Sequence, residues 1–434
     1  MLKKTMTRAI LFIYSLALYL VAPVALFFLT RKRNNKPYIG KRWKEYLGVA
    51  STPKNDQPSI WIHTVSVGEV IAASQVIKEL RLQYPKTPFI VTTTTTTGAE
   101  RVENLGIDVV HQYMPFDFKW AIRKFIKRHN PAHLIIMETE LWPNTLMTAR
   151  KMRVNVAILN ARLSEKSYKS YAKFQTTFSK VMSGVSLILC QNNQDKERFA
   201  RLGISAQSLH TTGSIKYDFQ VSKQQINEAA RIRQTLHTNK YCWIASSTHE
   251  GEDSIVLKIH QSLLAKYPDL LLIIVPRHPE RFEDVYKMCL KEGLRSIKRS
   301  QLGSTISYER PNVLIGDSMG EMQMYLAMSD ICFMGGSLLG DAVGGHNVLE
   351  PAALSIPTIT GPSYFNFKEI TDNLAEKNGL FIANGAEDIC KHVDSLLGDE
   401  TQRLTIGKNA NDVFKSNQGS TAKAVNLLRS QINL

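Results

Sequence analysis

Two carboxylates that follow one apolar segment are the first candidates for chemistry. Glu138 and Glu140 lie two residues apart in LIIMETELWPN, so on an extended backbone both side chains point to one side. Two carboxylates on one face repel each other and reduce stability unless they bind something. Pro143 cannot continue a strand, so the strand ends in this turn. The pattern favours a functional pair over a solvated one.

Three further side chains follow apolar segments at predicted turns. Glu69, in WIHTVSVGEVIAA, is either a general base at a strand end or a carboxylate that complements a helix dipole by about 0.3–1 kcal/mol. Lys216, in TTGSIKYDF, is either a surface cation or a ligand for a phosphate. Arg277 stands between Pro276 and a His-Pro pair, and a guanidinium on such a restricted backbone suits phosphate recognition.

A glycine-rich segment, residues 335–351, follows the apolar run Ile331–Met334 and reads GGSLLGDAVGGHNVLEP. Glycines let a backbone approach a ligand closely, and the unpaired N–H groups of a helix start suit a phosphate. Asn347 and Glu350 also match a capping box, in which Asn is the N-cap residue and Glu lies three positions later. Capping and ligand binding are compatible roles for this pair.

Several nucleotide-binding and metal-binding motifs are missing from the sequence. It contains no P-loop, no strand that opens onto G-x-G-x-x-G, no H-E-x-x-H and no D-x-D. Sugar transferases that hold a nucleotide diphosphate through a metal commonly carry the last of these. We therefore expect neither a metal nor a cofactor, and a phosphate site built from Arg, Lys and helix starts.

Short apolar runs that alternate with helical patterns indicate the fold class. They form two blocks, separated by a polar helical stretch near residues 221–239, and the pattern predicts α/β domains with parallel sheets. We expect two Rossmann-like domains, 36–220 and 221–434, that face a cleft, with the last helix able to pack back on the first domain. Ligands of such sheets bind at the carboxyl ends of the strands.

An uncharged run of 22 residues, 9–30, precedes these blocks. As a helix it is roughly 33 Å long, enough to span a bilayer. More Lys and Arg follow the run than precede it, which predicts a single anchor within residues 1–35 and catalytic domains on the cytoplasmic face. A cleaved signal peptide is disfavoured because no A-x-A site follows. A helix that lies flat on the membrane is disfavoured because polar residues are scarce.

The net charge limits the classes of binding partner, and the cysteine spacing indicates the cellular compartment. The net charge of +16 fits an anionic membrane surface or small anionic substrates, and nucleic acid ranks last because no nucleic-acid-binding signature is present. The five cysteines are isolated from one another, which favours reduced thiols and a cytoplasmic location.

Together these segments resemble the bacterial 3-deoxy-D-manno-octulosonic acid (Kdo) transferases of lipid A and lipopolysaccharide core biosynthesis. The resemblance runs from about residue 42 to the C-terminus, through the segments SVGE (66–69), TTGAERV (96–102), METELWPN (137–144), NARLS (160–164), GSIKYD (213–218), STHEGE (247–252), PRHPERF (276–282), GDSMGEM (316–322), GGHNVLEP (344–351) and FNFK (365–368). The resemblance implies a GT-B fold with a metal-free site, preceded by an N-terminal anchor at the inner membrane.

The resemblance also implies site residues and an activity. Glu69 matches the family's proton acceptor, and Glu138 and Lys216 match its transition-state stabilisers. The positions that match the CMP site are Pro276, Arg277, Met319, Gly320, Glu321, Asn347, Val348, Leu349 and Glu350. The implied reaction moves Kdo from CMP-Kdo to a tetraacyldisaccharide lipid A precursor, lipid IVA, with inversion.

Two departures from the family pattern and three rival functions remain open. Thr96 replaces a frequent proline, and the stretch between Ser337 and Gly344 is longer than usual, which leaves its path open. The rivals are a GT-B transferase that uses another nucleotide sugar such as a UDP-sugar, a non-catalytic membrane-tethered nucleotide-binding module, and a processed periplasmic binding protein.

Overall fold

The chain forms two α/β units in a computed structural model that describes residues 2–31, 39–49, 54, 56–236, 241–302 and 310–432. The first unit comprises Met1–Phe219 and Gln418–Leu434, and the second comprises Gln220–Asn417. The predicted limits placed residues 221–434 in the second domain with the last helix able to pack back on the first, and in the structure the last 17 residues, Gln418–Leu434, belong to the first unit.

The first unit alternates strands and helices along the chain. Its elements up to the second unit are α1 (Leu2–Thr30), β1 (Ser59–His63), α2 (Val67–Gln83), β2 (Phe89–Thr93), α3 (Thr96–Glu103), β3 (Val110–Tyr113), α4 (Lys119–His129), β4 (Pro131–Met137), α5 (Pro143–Lys151), β5 (Asn155–Ala161), α6 (Glu165–Ala172), α7 (Gln175–Met182), β6 (Val185–Cys190), α8 (Asn193–Arg201) and β7 (Leu209–Thr211).

The second unit repeats this alternation. Its elements are α9 (Lys223–Thr235), β8 (Cys242–Thr248), α10 (Glu252–Leu264), β9 (Leu271–Pro276), α11 (Phe282–Lys291), β10 (Ser296–Lys298), β11 (Val313–Ile315), α12 (Met322–Ala327), β12 (Ile331–Met334), α13 (Leu349–Ala353), β13 (Thr358–Thr360), α14 (Lys368–Glu376), β14 (Leu380–Ile382), α15 (Ala386–Gly398) and α16 (Glu400–Ser416). The last helix, α17 (Ser420–Ile432), returns to the first unit.

Each unit is built on a parallel seven-stranded sheet, as the sequence predicts. The strand orders are β3-β2-β1-β4-β5-β6-β7 and β10-β11-β9-β8-β12-β13-β14. Central strands such as β1 and β9 are buried at every residue, because helices cover both faces and exclude water from the apolar side chains. The direction of the crossovers reverses between β1 and β4 and between β8 and β12, which are the positions where open α/β sheets bind ligands.

Helix α17 belongs to the first unit because its apolar face completes that unit's core. Ala424, Val425 and Leu428 are buried in the cluster that also contains residues of α2. The Asp218 carboxylate accepts a hydrogen bond from the Gly419 amide at 2.7 Å, which holds the start of the helix.

Helix α1 covers the segment that the sequence predicts to be an anchor. In the part of the chain that the structure describes, it is the one helix long and apolar enough to cross a membrane, over Thr5–Thr30 at a mean hydropathy of 2.4. Its N-terminal half also contacts the first unit, where Leu11 is buried and the Tyr14 hydroxyl donates to Asp117 at 2.9 Å. The basic residues predicted to flank the anchor at 32–38 lie outside the described residues.

The five cysteines are free thiols, as their spacing predicts. Four are buried, and Cys390 is partly exposed. Burial raises the pKa of Cys190, Cys242 and Cys289 to about 12, so these side chains are neutral members of the core.

Candidate active site

Glu69 lies in the first turn of α2, four residues after the Val65 amide that follows β1. That amide donates to the Glu69 carboxylate at 2.9 Å, and the Ser66 hydroxyl does so at 3.4 Å. Burial, together with repulsion from Glu138 and Glu140, raises the pKa of Glu69 to about 7 although the Val65 hydrogen bond lowers it. Such a carboxyl group accepts a proton near neutral pH, as a general base must.

Glu138 and Glu140 differ in backbone and in partners. The argument from an extended backbone is wrong for this pair, since β4 ends at Met137 and Glu138 has a left-handed φ of 56°. The Glu138 carboxylate forms an ion pair with the Lys216 ammonium at 3.2 Å, and that of Glu140 accepts from the Trp142 indole at 3.1 Å. Glu138 therefore restrains Lys216, and both carboxylates lie close enough to Glu69 to raise its pKa.

Asn160 is a residue of this site that its motif alone did not reveal. It ends the apolar run of β5 with a left-handed φ of 55°, and its side chain is fully buried. Its carboxamide oxygen accepts from the Ile215 amide at 3.2 Å, so Asn160 holds the backbone directly before Lys216. Its Nδ2 has no hydrogen-bond partner among the described residues. A polar residue at the end of an apolar strand is the sequence signal that could have identified it.

Arg277 directly follows β9 in the second unit, where Pro276 pairs in register with Thr248 of β8. The Arg277 amide donates to the Thr248 carbonyl at 2.9 Å, which restricts its backbone as the flanking prolines predict. The side chain is exposed, and no carboxylate within the described residues forms an ion pair with its guanidinium. An exposed guanidinium on a restrained backbone is suited to an incoming oxyanion.

The first part of the glycine-rich segment binds a carboxylate of the chain itself. Glu252, at the start of α10, is fully buried and accepts from the Gly336 amide at 2.7 Å, the Ser337 amide at 3.0 Å and the Leu338 amide at 3.1 Å. It also accepts from the His249 amide at 3.0 Å. The amides of 336–338 are therefore occupied by the Glu252 carboxylate and are not available to a phosphate.

Gly335 has a packing role in the same loop. A Cβ on Gly335 would lie 2.8 Å from the Ser247 carbonyl oxygen and 3.0 Å from the Glu252 carboxylate. Neither contact leaves room for a side chain, so this glycine allows the loop to close on Glu252.

The capping box predicted for the second part of the segment is wrong, because the N-cap residue of α13 is Val348, whose side chain forms no cap hydrogen bond. Helix α13 begins at Leu349, whose amide donates to the Asn347 carboxamide oxygen at 3.1 Å. The Asn347 Nδ2 donates to the Glu350 carboxylate at 3.2 Å. Burial raises the pKa of Glu350, whereas the Asn347 hydrogen bond and Arg277 lower it. Val348 and Leu349 are buried, so only their main chain faces this turn.

Met319, Gly320 and Glu321 form the turn before α12. Met319 is exposed, and Gly320 has a left-handed φ of 82° that a side chain would strain. The Glu321 carboxylate is 3.2 Å from the Arg299 guanidinium and accepts from the Ser318 hydroxyl. These bonds hold the turn in a defined conformation.

Comparisons with known proteins identify the family to which this chain belongs. The model of the 3-deoxy-D-manno-octulosonic-acid transferases matches residues 41–219, and that of the group 1 glycosyl transferases matches residues 242–413. The 3-deoxy-D-manno-octulosonic acid transferase of Haemophilus influenzae is 39% identical over 96% of this chain and 98% of its own. A probable mitochondrial transferase of the same name from Arabidopsis thaliana is 32% identical over 86% and 85%.

A solved structure supports the fold. That of S. aureus MnaA with UDP has a TM-score of 0.58 and 16% identity, and the match covers 87% of this chain and 98% of that one. The two parallel sheets and the group 1 match define a glycosyltransferase of the GT-B fold. The chain belongs to the family of 3-deoxy-D-manno-octulosonic acid transferases, enzymes that transfer Kdo in lipopolysaccharide biosynthesis.

Proposed function

We propose that the chain transfers Kdo from CMP-Kdo to a tetraacyldisaccharide lipid A precursor, lipid IVA, with inversion at the anomeric carbon. The observation that carries the proposal is Glu69, a partly buried carboxyl group whose pKa is about 7. A sugar hydroxyl is a weak nucleophile near neutral pH, so its attack needs a base of this kind. The family gives the transferred sugar, and the donor and acceptor are the proposed part.

In the proposed reaction Glu69 removes the proton from the acceptor hydroxyl as its oxygen bonds to the anomeric carbon. The bond between that carbon and the phosphate oxygen breaks, and CMP leaves with the electron pair. Attack opposite the departing CMP inverts the configuration. The Lys216 ammonium, held 3.2 Å from the Glu138 carboxylate, stabilises the developing negative charge.

The donor is proposed to bind the second unit, with the phosphate on the Arg277 guanidinium. The exposure of this guanidinium on a fixed backbone supports that role. Turns with defined main-chain geometry supply the remaining contacts. The proposed CMP residues are Pro276, Arg277, Met319, Gly320, Glu321, Asn347, Val348, Leu349 and Glu350.

CMP carries one phosphate, so the proposed reaction needs no metal. Arg277 and Lys216 supply positive charge in the place of a cation. Added EDTA is expected to leave turnover unchanged, and strong inhibition would contradict this part of the proposal.

The enzyme is proposed to work at the cytoplasmic face of the inner membrane. Helix α1 has the length and hydropathy of an anchor, and a net charge of +16 favours an anionic lipid surface. The same charge favours the phosphates of the lipid A precursor. No nucleic acid is proposed as a partner.

The test is transfer by the purified full-length chain, with CMP-Kdo and lipid IVA as substrates and mass spectrometry of the lipid product. We expect a product heavier by Kdo, and the mass also counts how many Kdo residues are added. Glu69→Gln should abolish transfer, whereas Glu79→Gln, on the same helix, should retain it. Competition by UDP rather than by CMP would favour a UDP-sugar donor and contradict the proposal.

A further inference from the structure

Three histidines that none of the roles above uses lie at the carboxyl ends of neighbouring strands in the second unit. His249 follows β8, His278 follows β9, and His346 belongs to the glycine-rich segment after β12. Strands β9, β8 and β12 are adjacent in the sheet, and β8 and β12 flank the point where the crossovers reverse. The histidines therefore lie where open α/β sheets bind ligands.

The imidazoles of His249 and His346 contact each other directly. Their Nε2 atoms are 2.8 Å apart, and the two rings are parallel within 4°. At this distance one Nε2 donates a proton and the other accepts it, so one of the two N–H protons of the neutral pair lies between the rings. His278 meets the ring of His249 edge-on, with the ring centres 5.4 Å apart.

The surrounding groups keep this pair neutral. Burial lowers the pKa of His346 to about 3, and the nearby Arg277, His249 and His278 side chains act in the same direction. Burial also lowers the pKa of His249, with His278, Arg277 and Arg281 in support and Glu252 opposed. An anion between the imidazoles and Arg277 would reverse this balance and favour an additional proton on the pair, which makes one ring an imidazolium.

The backbone is shaped to hold the two rings together. A Cβ on Gly336 would lie 2.8 Å from both Cδ2 and Nε2 of His346, and Gly336 has a left-handed φ of 68°. The same oxygen of Glu252 accepts from the Gly336 amide and the His249 amide. One buried carboxylate therefore joins the two segments that place the histidines, so the cluster is part of the folded framework.

The carboxylates near Arg277 form no ion pair with it, although Glu350 lies close enough for Arg277 to lower its pKa. Glu252 is committed to four amides, and the Arg281 guanidinium is paired with Asp253. Arg277 remains unpaired within the part of the chain that the structure describes. Among the described residues, no group of three or more side chains is arranged to hold a metal ion. The unmatched charge suits an oxyanion.

We propose that His249, His278 and His346 form, with Arg277, a binding site for an oxyanion of the sugar-nucleotide donor, either its phosphate or the carboxylate of its sugar acid. This assignment rests on the proposed donor, CMP-Kdo, which carries both groups. The imidazole pair takes up a proton when the oxyanion binds, so the donor is held by a charge that the empty site does not carry.

The test is isothermal titration calorimetry of the full chain with cytidine, CMP and CMP-Kdo at pH 7.5, in two buffers of different ionisation enthalpy. The second proton of a phosphate monoester leaves near pH 6, so proton uptake at pH 7.5 reports on the protein. We expect uptake with the ligand that carries the recognised oxyanion, and none with cytidine. Absence of proton uptake by the wild-type protein with all three ligands would overturn the proposal without any variant.

His249→Gln and His346→Gln keep a neutral hydrogen-bonding group and lose the titrating ring. Each variant should lower the affinity for the ligand that carries the recognised oxyanion about tenfold, equivalent to about 1.4 kcal/mol, and should abolish proton uptake. Weaker CMP binding assigns the phosphate, whereas weaker CMP-Kdo binding with unchanged CMP binding assigns the carboxylate. His392→Gln, in the same unit, is the control and should behave as wild type.

Two results separate this inference from the proposed function. If the wild-type protein binds none of the three ligands, the proposed donor is wrong. If it binds CMP and CMP-Kdo, but both variants keep wild-type affinity and proton uptake, only the histidine site is wrong. Binding that requires added zinc and disappears in EDTA would assign the histidines to a metal and also overturn the inference.

Discussion

Replacement of Glu252 by glutamine tests whether this carboxylate holds the glycine-rich loop in place. Each of its two carboxylate oxygens accepts two backbone hydrogen bonds. One oxygen accepts from the His249 and Gly336 amides, and the other accepts from the Ser337 and Leu338 amides. A glutamine keeps the shape but has only one oxygen. In either orientation its NH₂ group faces two N–H donors that it cannot satisfy.

The expected loss follows from those two amides. Each buried donor left without an acceptor costs about 1–3 kcal/mol, so Glu252→Gln should destabilise the second unit by about 2–6 kcal/mol. The lower value applies if the loop moves outward and water reaches the amides. Because the His249 and Gly336 amides share one oxygen, that movement would also separate the proposed histidine pair.

Urea unfolding and hydrogen exchange read out this effect. Exchange of the buried amides of β8, Cys242–Thr248, reports on unfolding of the second unit, and exchange within residues 335–339 locates the exposed amides of the loop. Glu250→Gln, an exposed carboxylate two residues away, is the matched control. The reasoning is refuted if Glu252→Gln unfolds within about 0.5 kcal/mol of the control, the range of ordinary surface substitutions.

Three further predictions concern the first unit. With a pKa of about 7 for Glu69, kcat/KM should rise with pH and reach about a tenth of its plateau at pH 6. Glu140→Gln removes a neighbouring negative charge, so the pH profile of this variant should shift to lower pH. An unshifted profile would argue against the coupling between Glu140 and Glu69. Asn160→Ala removes the acceptor of the Ile215 amide, which holds the backbone directly before Lys216, so kcat should fall. The Kd for CMP, measured by calorimetry, should stay unchanged. Weaker CMP binding would contradict the view that Asn160 acts only by positioning Lys216. Burial raises the pKa of Asp117 from 3.8 to about 6, so the folded protein holds a proton there that the unfolded chain has lost. That proton stabilises the fold fully below pH 4 and is lost as the pH rises through 6. The stability of wild type relative to Asp117→Asn should therefore fall by about 2 kcal/mol from pH 4 to 6 in urea unfolding, and a constant difference would contradict it.

Local patterns accounted for the fold class and for several turns. Apolar runs such as Ile331–Met334 predicted buried parallel strands, because a strand covered on both faces needs apolar side chains throughout. The capping box predicted at Asn347 is wrong because α13 begins one residue later, with Val348 as its N-cap residue, although Asn347 still accepts a hydrogen bond from the Leu349 amide. The extended backbone expected at Glu138 is wrong, because β4 ends at Met137 and Glu138 has a left-handed φ of 56°.

By itself, the sequence determined which residues follow strands, since the alternation of apolar runs with helical patterns is a local property of the chain. Tertiary structure alone decided what those residues do. The pKa of Glu69 depends on burial and on Glu138 and Glu140, about 70 positions further along. The amides of the glycine-rich loop donate to the carboxylate of Glu252, which lies 84 positions before Gly336 in the sequence. Hydrogen bonds, burial and electrostatic repulsion depend on distance in space, so only the folded chain brings these groups together.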